Sequence, residues 1–352
     1  MNLTRREWLA GAAAGLSSVA LGTQEEEFKP AVISGTPRER GKQYGRTFKN
    51  DIRAFLDKEY AKVLKPGANR DQALRYVDGC GKQIRKFSKV ATEEIEGIAE
   101  GAGLKMEEVL LLQCHEELWY QGLVPPGDHC AALSAAPPDT GDGNTYVGQS
   151  YEWWWRCSWL HWKRTDGPSV LAYTYPGILA SVGMNSAGIA LCATAARDSG
   201  KPDVGVPYYV LSAHMLYQDT LQGALEEARR AKQVGWSAIV MGDANGRLVN
   251  VEVTSSHGLV VETHEGHLAR HQYGSRKMAS THNARTRHMY DLLGRSRGKL
   301  GQTALQEILS DAKVAGSPQD LMLFNTTTRE AHFKGAASGG GNRWHTFRFR
   351  EK

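Results

Sequence analysis

Val124-Pro125-Pro126-Gly127-Asp128-His129-Cys130 divides the 352-residue chain into two textures. Two adjacent prolines and a glycine cannot continue a helix or a central strand, because proline fixes φ and lacks the N–H that either ladder needs. Before this cluster, apolar residues recur at helical spacing: Tyr44, Phe48, Ile52, Phe55 and Tyr60, then Leu74, Val77, Ile84 and Phe87. The pattern predicts a first strand at 28–33 and a helix over 37–64. A second helix capped by Asn69, a third capped by Thr92 and a fourth over 106–118 follow. After the cluster come strand-like runs at 130–135, 145–151, 170–175, 178–184 and 189–194, the last two joined by the turn Asn185-Ser186-Ala187-Gly188. Helices at 208–217 and 219–232 precede strands at 237–241 and 248–253, which flank the turn Asp243-Ala244-Asn245-Gly246. Helices at 285–293 and 303–312 and closing strands at 321–326 and 344–349 complete the chain. Strands in meander groups with helices between them predict an α+β fold of two antiparallel sheets covered by helices.

Composition removes other classes. With 41% hydrophobic residues, 9 Trp, 13 Tyr and 8 Phe, the chain has core-forming residues that a disordered sequence lacks. Its 38 Gly and 12 Pro are too few for a collagen-like repeat. The net charge of +5 is mild for this length and gives no ground for a nucleic-acid partner.

The N-terminus reads as a targeting segment. Arg5-Arg6 precedes the apolar stretch Trp8 to Gly22, which ends in the small-x-small sequence Ala20-Leu21-Gly22. That layout is a signal peptide over residues 1–22, and the paired arginines indicate the twin-arginine export machinery as a partner. About 15 apolar residues are too few for a stable membrane span, which needs roughly 20. The expected mature protein is one domain, 23–352, exported to the periplasm or beyond, where disulfides can persist. Cys80, Cys114, Cys130, Cys157 and Cys192 form no C-x-x-C pair, and an odd count leaves at least one thiol over in any intramolecular pairing.

Common catalytic motifs fail by single residues. His115-Glu116-Glu117-Leu118 begins like a zinc-protease helix, but Trp119 stands where the second histidine must be. Gly294 to Lys299 is one residue short of a phosphate-binding loop. His264 and His267 point to opposite faces of a strand, so with His271 they do not suggest a metal site. No metal and no organic cofactor is expected.

Asp128-His129-Cys130 stands apart because Cys130 opens a strand at the seam. If the His129–Cys130 bond were cut, Cys130 would become a new N-terminus carrying both a thiol and an α-amine. An α-amine titrates at about 7.7–8.0, so nucleophile and general base would sit in one residue. From local sequence alone, Cys130 fits a small buried strand residue better than a nucleophile.

Further stretches carry a family pattern in order: Gly35-Thr36-Pro37 with Gly41 and Gly45, Gly97-Ile98-Ala99-Glu100-Gly101, Asp128-x-Cys130, and Gly148-Gln149-x-x-Glu152. Val182-Gly183-Met184-Asn185-Ser186-Ala187-Gly188, Gly205-Val206-Pro207 and Leu323-Phe324-Asn325 continue it. Together they resemble the penicillin acyltransferase family of N-terminal nucleophile hydrolases. The resemblance implies a four-layer αββα sandwich, self-cleaved into 23–129 and 130–352, that attacks a linear amide or thioester.

By that resemblance Cys130 is the nucleophile, and Glu152 takes the place of an aspartate that orients its amine. Gln272 takes the place of an asparagine oxyanion donor, a register in which His271 competes. Thr194 ends a strand near another polar site position, and Gln149 lies in the matching G-Q segment. Ser150 replaces an asparagine, and Ala131 and Ala132 stand where the family often has hydroxyl residues. Trp153 and Trp155, in the run after Glu152, are candidates for an aromatic wall around an acyl group, and core packing accounts for them equally. The expectation is an exported cysteine amidohydrolase acting on a small-molecule amide or acyl substrate. An N-acyltransferase, or a non-catalytic binding protein on the same fold, are the alternatives.

Overall fold

The computed structural model describes residues 29–123, 130–152, 155–195, 203–232, 237–254, 258–271, 284–315, 320–335 and 341–349. Residues 1–22, expected above to be a signal peptide, and His129, Trp153 and Gln272 lie outside these residues.

Up to residue 123 the chain is helical after one short strand, β1 (Ala31–Ser34). The helix expected over 37–64 is three: α1 (Pro37–Thr47), α2 (Lys49–Glu59) and α3 (Ala61–Leu64). The breaks fall at Phe48 and Tyr60, which leave helical geometry with φ near −110° and −105°. No proline or glycine marks either break, so the apolar period runs through both. In α4 (Ala68–Phe87) the N-cap is Gly67, and Asn69 lies inside the helix. In α5 (Lys89–Ala102) the cap is Ser88, whose Oγ accepts from Ala91 N–H at 3.0 Å. Thr92, the expected cap, instead donates to the Ser88 carbonyl. The fourth predicted helix divides at Cys114 into α6 (Met106–Gln113) and α7 (His115–Tyr120).

Helices α1 and α5 pack backbone on backbone through four glycines. A Cβ on Gly41 would lie 2.0 Å from the Glu94 carbonyl oxygen, and one on Gly45 2.4 Å from that of Ile98. Gly97 and Gly101 reciprocate against Arg38 and Lys42 at 2.3 and 2.2 Å. The glycines that carry the family pattern are therefore there because no side chain fits. A buried ion pair between Arg40 and Glu94, at 2.7 Å, locks the same contact, and Tyr217 Oη donates to the second Glu94 oxygen.

The rest of the chain builds two sheets. One holds eight strands in the order β1, β4 (Ser158–Lys163), β5 (Val170–Thr174), β6 (Val182–Asn185), β7 (Ile189–Ala195), β8 (Ser237–Asp243), β9 (Leu248–Thr254) and β10 (Gly258–His264). The other holds six: β11 (His267–Arg270), β2 (Ala131–Ala135), β3 (Tyr146–Tyr151), β12 (Asp320–Asn325), β13 (Glu330–Gly335) and β14 (Gly341–Arg348). Among the described strands all pairings are antiparallel except one. β1 joins β4 in parallel, which corrects the expectation of purely antiparallel sheets. That pairing is long-range, and nothing in the local pattern of residues 31–34 sets its direction.

The sheets stack through β2, β3 and β11 against β7 and β8. Helices α8 (Tyr208–Leu216) and α9 (Leu221–Arg230), with the N-terminal helices, cover the larger sheet. Helices α10 (Ala284–Arg295) and α11 (Gln302–Ser310) cover the smaller one over a second apolar cluster that includes Leu133, Met289 and Leu305. The layers run helix, sheet, sheet, helix, the αββα sandwich that the resemblance implies. No helix among the described residues is long and apolar enough to cross a membrane.

Gly97→Ala should lower stability by about 3 kcal/mol, because backbone and not a movable side chain blocks the new methyl. Gly294→Ala, in a helix where nothing lies within 4 Å of a new Cβ, should be neutral or stabilising by up to about 1 kcal/mol. Urea-unfolding midpoints of the two variants check both signs.

Candidate active site

Cys130 immediately precedes β2 and is 8% exposed, at the bottom of a cleft between the sheets and the N-terminal helices. Its carbonyl is fixed from β11's end by His271. Because a carbonyl only accepts, His271 Nδ1–H must be the donor, at 2.8 Å. Burial pushes the thiol up to about 12 in the uncut chain, partly offset by the Glu152 backbone N–H and the Gln149 amide. A thiol so placed stays protonated at neutral pH and is not a nucleophile on its own account.

Gln149, on β3, is fully buried, and its amide reaches across to the other sheet. Nε2 donates to the Ala193 carbonyl at 2.7 Å, and Oε1 accepts from the Ala193 N–H at 2.8 Å. Strand β6 pairs with β7 only at Ala190 and Leu191, so the β6-facing edge of Ala193 has no ladder partner. The Gln149 side chain takes the place of the absent strand. It also sets Ala193, Thr194 and Ala195 beside Cys130 in the cleft wall.

Glu152 follows β3 and is buried. Its carboxylate meets Arg285 of α10 through two contacts, one between Nη1 and Oε2 at 3.2 Å and one between Nη2 and Oε1. Ser150 Oγ donates to Oε1 at 3.3 Å. The longer side chain standing in the aspartate position is thus held in a fork by an arginine from the opposite end of the sequence.

Thr194 is 3% exposed and lines the cleft, and its Oγ1 has no hydrogen-bond partner. An unmet buried hydroxyl costs free energy unless something else supplies its bond, and here the open side is the cleft. Trp155 is elsewhere: its ring packs on Phe55 with centroids 5.2 Å apart, and Lys58 Nζ lies 4.8 Å from its centre. The aromatic residues that do line the cleft are Trp119, Tyr151, Tyr175 and Tyr208. His264 and His267 are also engaged apart from Cys130, His267 with Asp139 at 2.5 Å and His264 near Arg270.

Sequence reasoning missed Glu116. It was discarded with a broken zinc motif, yet α7 projects it into the cleft. Tyr209 Oη donates to Glu116 Oε1 at 3.0 Å, and burial raises the carboxyl to about 7. Its neighbour Glu117 accepts the Tyr208 N–H at 2.8 Å and so caps the start of α8. The acid pair just before the seam was the available signal, because two carboxylates on a helix of apolar context must each find a partner or a function.

With this arrangement in view, the relatives can be placed. Over 215 residues the chain is 27% identical to the acyl-coenzyme A:6-aminopenicillanic-acid-acyltransferase 40 kDa form of Emericella nidulans, covering 59% of this chain and 58% of the relative. The chain is similar to the penicillin acyltransferase family. The match spans about three fifths of that relative's own length. No family model matches the chain. Among solved structures, the Caenorhabditis elegans N-acylethanolamine-hydrolyzing acid amidase ortholog aligns at TM-score 0.44 and 12% identity, over 63% of this chain and all of that one. Penicillin V acylase from Agrobacterium tumefaciens aligns at 0.45 and 10%, over 62% and 86%.

Replacing Gln149 by Leu should strip two buried backbone groups of Ala193 of their partners and cost about 2–5 kcal/mol. The loss is read as a lower urea midpoint. Gln149→Glu should recover less than half of it, since a carboxylate cannot donate to the Ala193 carbonyl.

Proposed function

We propose that the protein is an exported, self-processing cysteine amidohydrolase whose nucleophile is Cys130. The observation that carries this reading is the position of Cys130: first residue after the seam, at the floor of a cleft, with its carbonyl and thiol both held. Similarity to an acyl-coenzyme A:6-aminopenicillanic-acid-acyltransferase supports acyl transfer or amide hydrolysis as the reaction class.

Maturation would begin with attack of the Cys130 thiol on the carbonyl carbon of residue 129. The peptide nitrogen leaves as the Cys130 α-amine and takes the thiol proton, and a thioester joins residue 129 to Sγ. Water then releases the residue 129 carboxylate and regenerates the thiol. In the cleaved enzyme the α-amine takes the thiol proton, and the thiolate attacks the substrate amide carbonyl. The amine product leaves with that proton, and water cleaves the acyl thioester. Gln272 and backbone N–H groups are assigned to the oxyanion, a donor of that kind being worth about 3 kcal/mol in the transition state. Glu152, held by Arg285, keeps a fixed negative charge near the new α-ammonium and stabilises it. Thr194 offers its open hydroxyl to the substrate.

Water is favoured over an amine as acyl acceptor because acyl-coenzyme A, a cytoplasmic donor, is scarce outside the membrane. Transfer to an added amine at the expense of hydrolysis would support the acyltransferase alternative. Intact mass spectrometry tests the central step. Wild-type protein should appear as two polypeptides, 23–129 and 130–352, and Cys130→Ala as one uncut chain. An uncut wild-type chain overturns the reading and leaves the binding-protein alternative.

Export has a separate test. Arg5→Lys with Arg6→Lys keeps the charge but removes the arginine pair, so the protein should accumulate unexported in cell fractionation. Unchanged export would refute the twin-arginine assignment.

A further inference from the structure

The cleft beside Cys130 has an unusual electrostatic make-up. It is walled by Trp119, Tyr151, Tyr175 and Tyr208, carries the hydroxyls of Ser181, Thr194 and Ser237, and contains one carboxyl, that of Glu116. No lysine, arginine or histidine is among its described lining residues. The titratable groups that feel Glu116 are the Cys130 thiol, Glu117 on its own helix, Tyr208 and Tyr209 on α8, and Tyr60 on α2's flank. None of them is a cation. A half-buried carboxyl without a counter-charge is costly, and the Tyr209 hydroxyl bonds to one of its oxygens, Oε1. What such a site lacks is a positive charge. Aromatic faces around a single carboxylate are the arrangement that best receives an ammonium group, because ring quadrupoles and the carboxylate attract it together once water is displaced.

We infer that the cleft is built for an amide substrate that carries a protonated amine, with Glu116 meeting the ammonium and the aromatic walls enclosing it. This rests on the reading of the cleft as the substrate site of Cys130. It adds a substrate class and a specificity residue. The amine is bound and not transformed, so Glu116 takes no part in bond breaking.

The carboxyl near 7 gives the site a sign and a window. Above pH 7 Glu116 is ionised and attracts the ammonium. Below it the carboxyl takes up a proton and the attraction is lost, so affinity for an amine that stays protonated throughout should be about tenfold weaker at pH 6 than at pH 8.

Calorimetry with benzylamine and benzyl alcohol as probes tests binding without turnover. At pH 8 the protein should bind benzylamine at least tenfold more tightly than the alcohol. The preference should fall towards one at pH 6 and be absent at both pH values in Glu116→Gln, with Glu116→Asp retaining part of it. Equal affinities in the wild type, binding of neither probe, or a preference that survives Glu116→Gln each overturn the inference. A second arm compares kcat/KM for N-phenylacetyl-1,4-diaminobutane and N-phenylacetylbutylamine, and for phenylglycine and phenylacetic p-nitroanilides. In at least one pair the charged member should be favoured tenfold or more, and Glu116→Gln should collapse that ratio. Hydrolysis of the uncharged members that depends on Cys130 without any charge preference sinks the inference alone. Hydrolysis that persists in Cys130→Ala sinks the functional reading instead.

Discussion

The double hydrogen bond from Gln149 to Ala193 is the constraint on which the site depends. Two stacked sheets can slide over one another so long as only apolar side chains meet, because that attraction has no direction. A fully buried amide that both donates and accepts cannot slide without orphaning four polar atoms. Fixing β3 over β7 fixes Cys130 opposite Thr194, and it does so where β6 stops short and leaves the edge of β7 open. The gap is what makes the cleft, and the same amide that closes its floor lies against the thiol. Cleft, Cys130 and inter-sheet register are therefore one feature of the packing.

The helical layer contributes at a distance. Glycine-mediated contact of α1 with α5 brings the two helices to backbone separation, and the Arg40–Glu94 pair with Tyr217 ties that pair to the helices on the large sheet. Helix α7 is the short piece that this packing leaves over the cleft. Its three leading residues divide the work: His115 is buried against Tyr60, Glu117 caps α8, and Glu116 faces the opening. A zinc-protease helix needs two histidines on one face. This helix uses the same sequence start to seat a carboxylate in an aromatic site.

Much of the fold was legible because it is written in local periodicity. The helical and sheet halves, the seam, the hairpin at Gly188 (φ 83°) and the turn at Gly246 (φ 85°) all follow from residue types at short spacing. What escaped was set by tertiary contact. The breaks at Phe48 and Tyr60 keep their apolar faces on the core, so the pattern continues through a bend that the backbone does not. Ser88 and Thr92 are both hydroxyl residues, and only the extended geometry at Ser88 (φ −151°) decides which one caps. Strands β10 and β13 are mixed in burial and show no clean alternation, and the parallel partner of β1 lies more than 120 residues away. At the site, the family pattern pointed to Cys130 and Glu152, and the fold brings the Glu152 backbone N–H to the Cys130 thiol. Gln149, expected to bind substrate, has its amide spent on the Ala193 backbone. Trp155 was plausible by sequence proximity alone, but it lies beyond the end of β3 and its ring packs on Phe55. Glu116 stood out only as one of an acid pair, because its partners, Tyr209 and the Cys130 cleft, are brought to it by folding.

Burial raises both the Cys130 thiol and the Glu116 carboxyl, and each charge disfavours the other across the same small space. Without a cation in the cleft both groups tend to stay neutral, which protects the thiol from oxidation, since the thiolate is the reactive form. A cation entering the cleft changes the balance for both at once: it favours the carboxylate directly and removes much of that carboxylate's penalty on the thiolate. A substrate bearing an ammonium group would then be more than a better-bound substrate. By neutralising Glu116 it would lower the cost of ionising the nucleophile that attacks it, so part of the discrimination would appear in the chemical step and not only in binding.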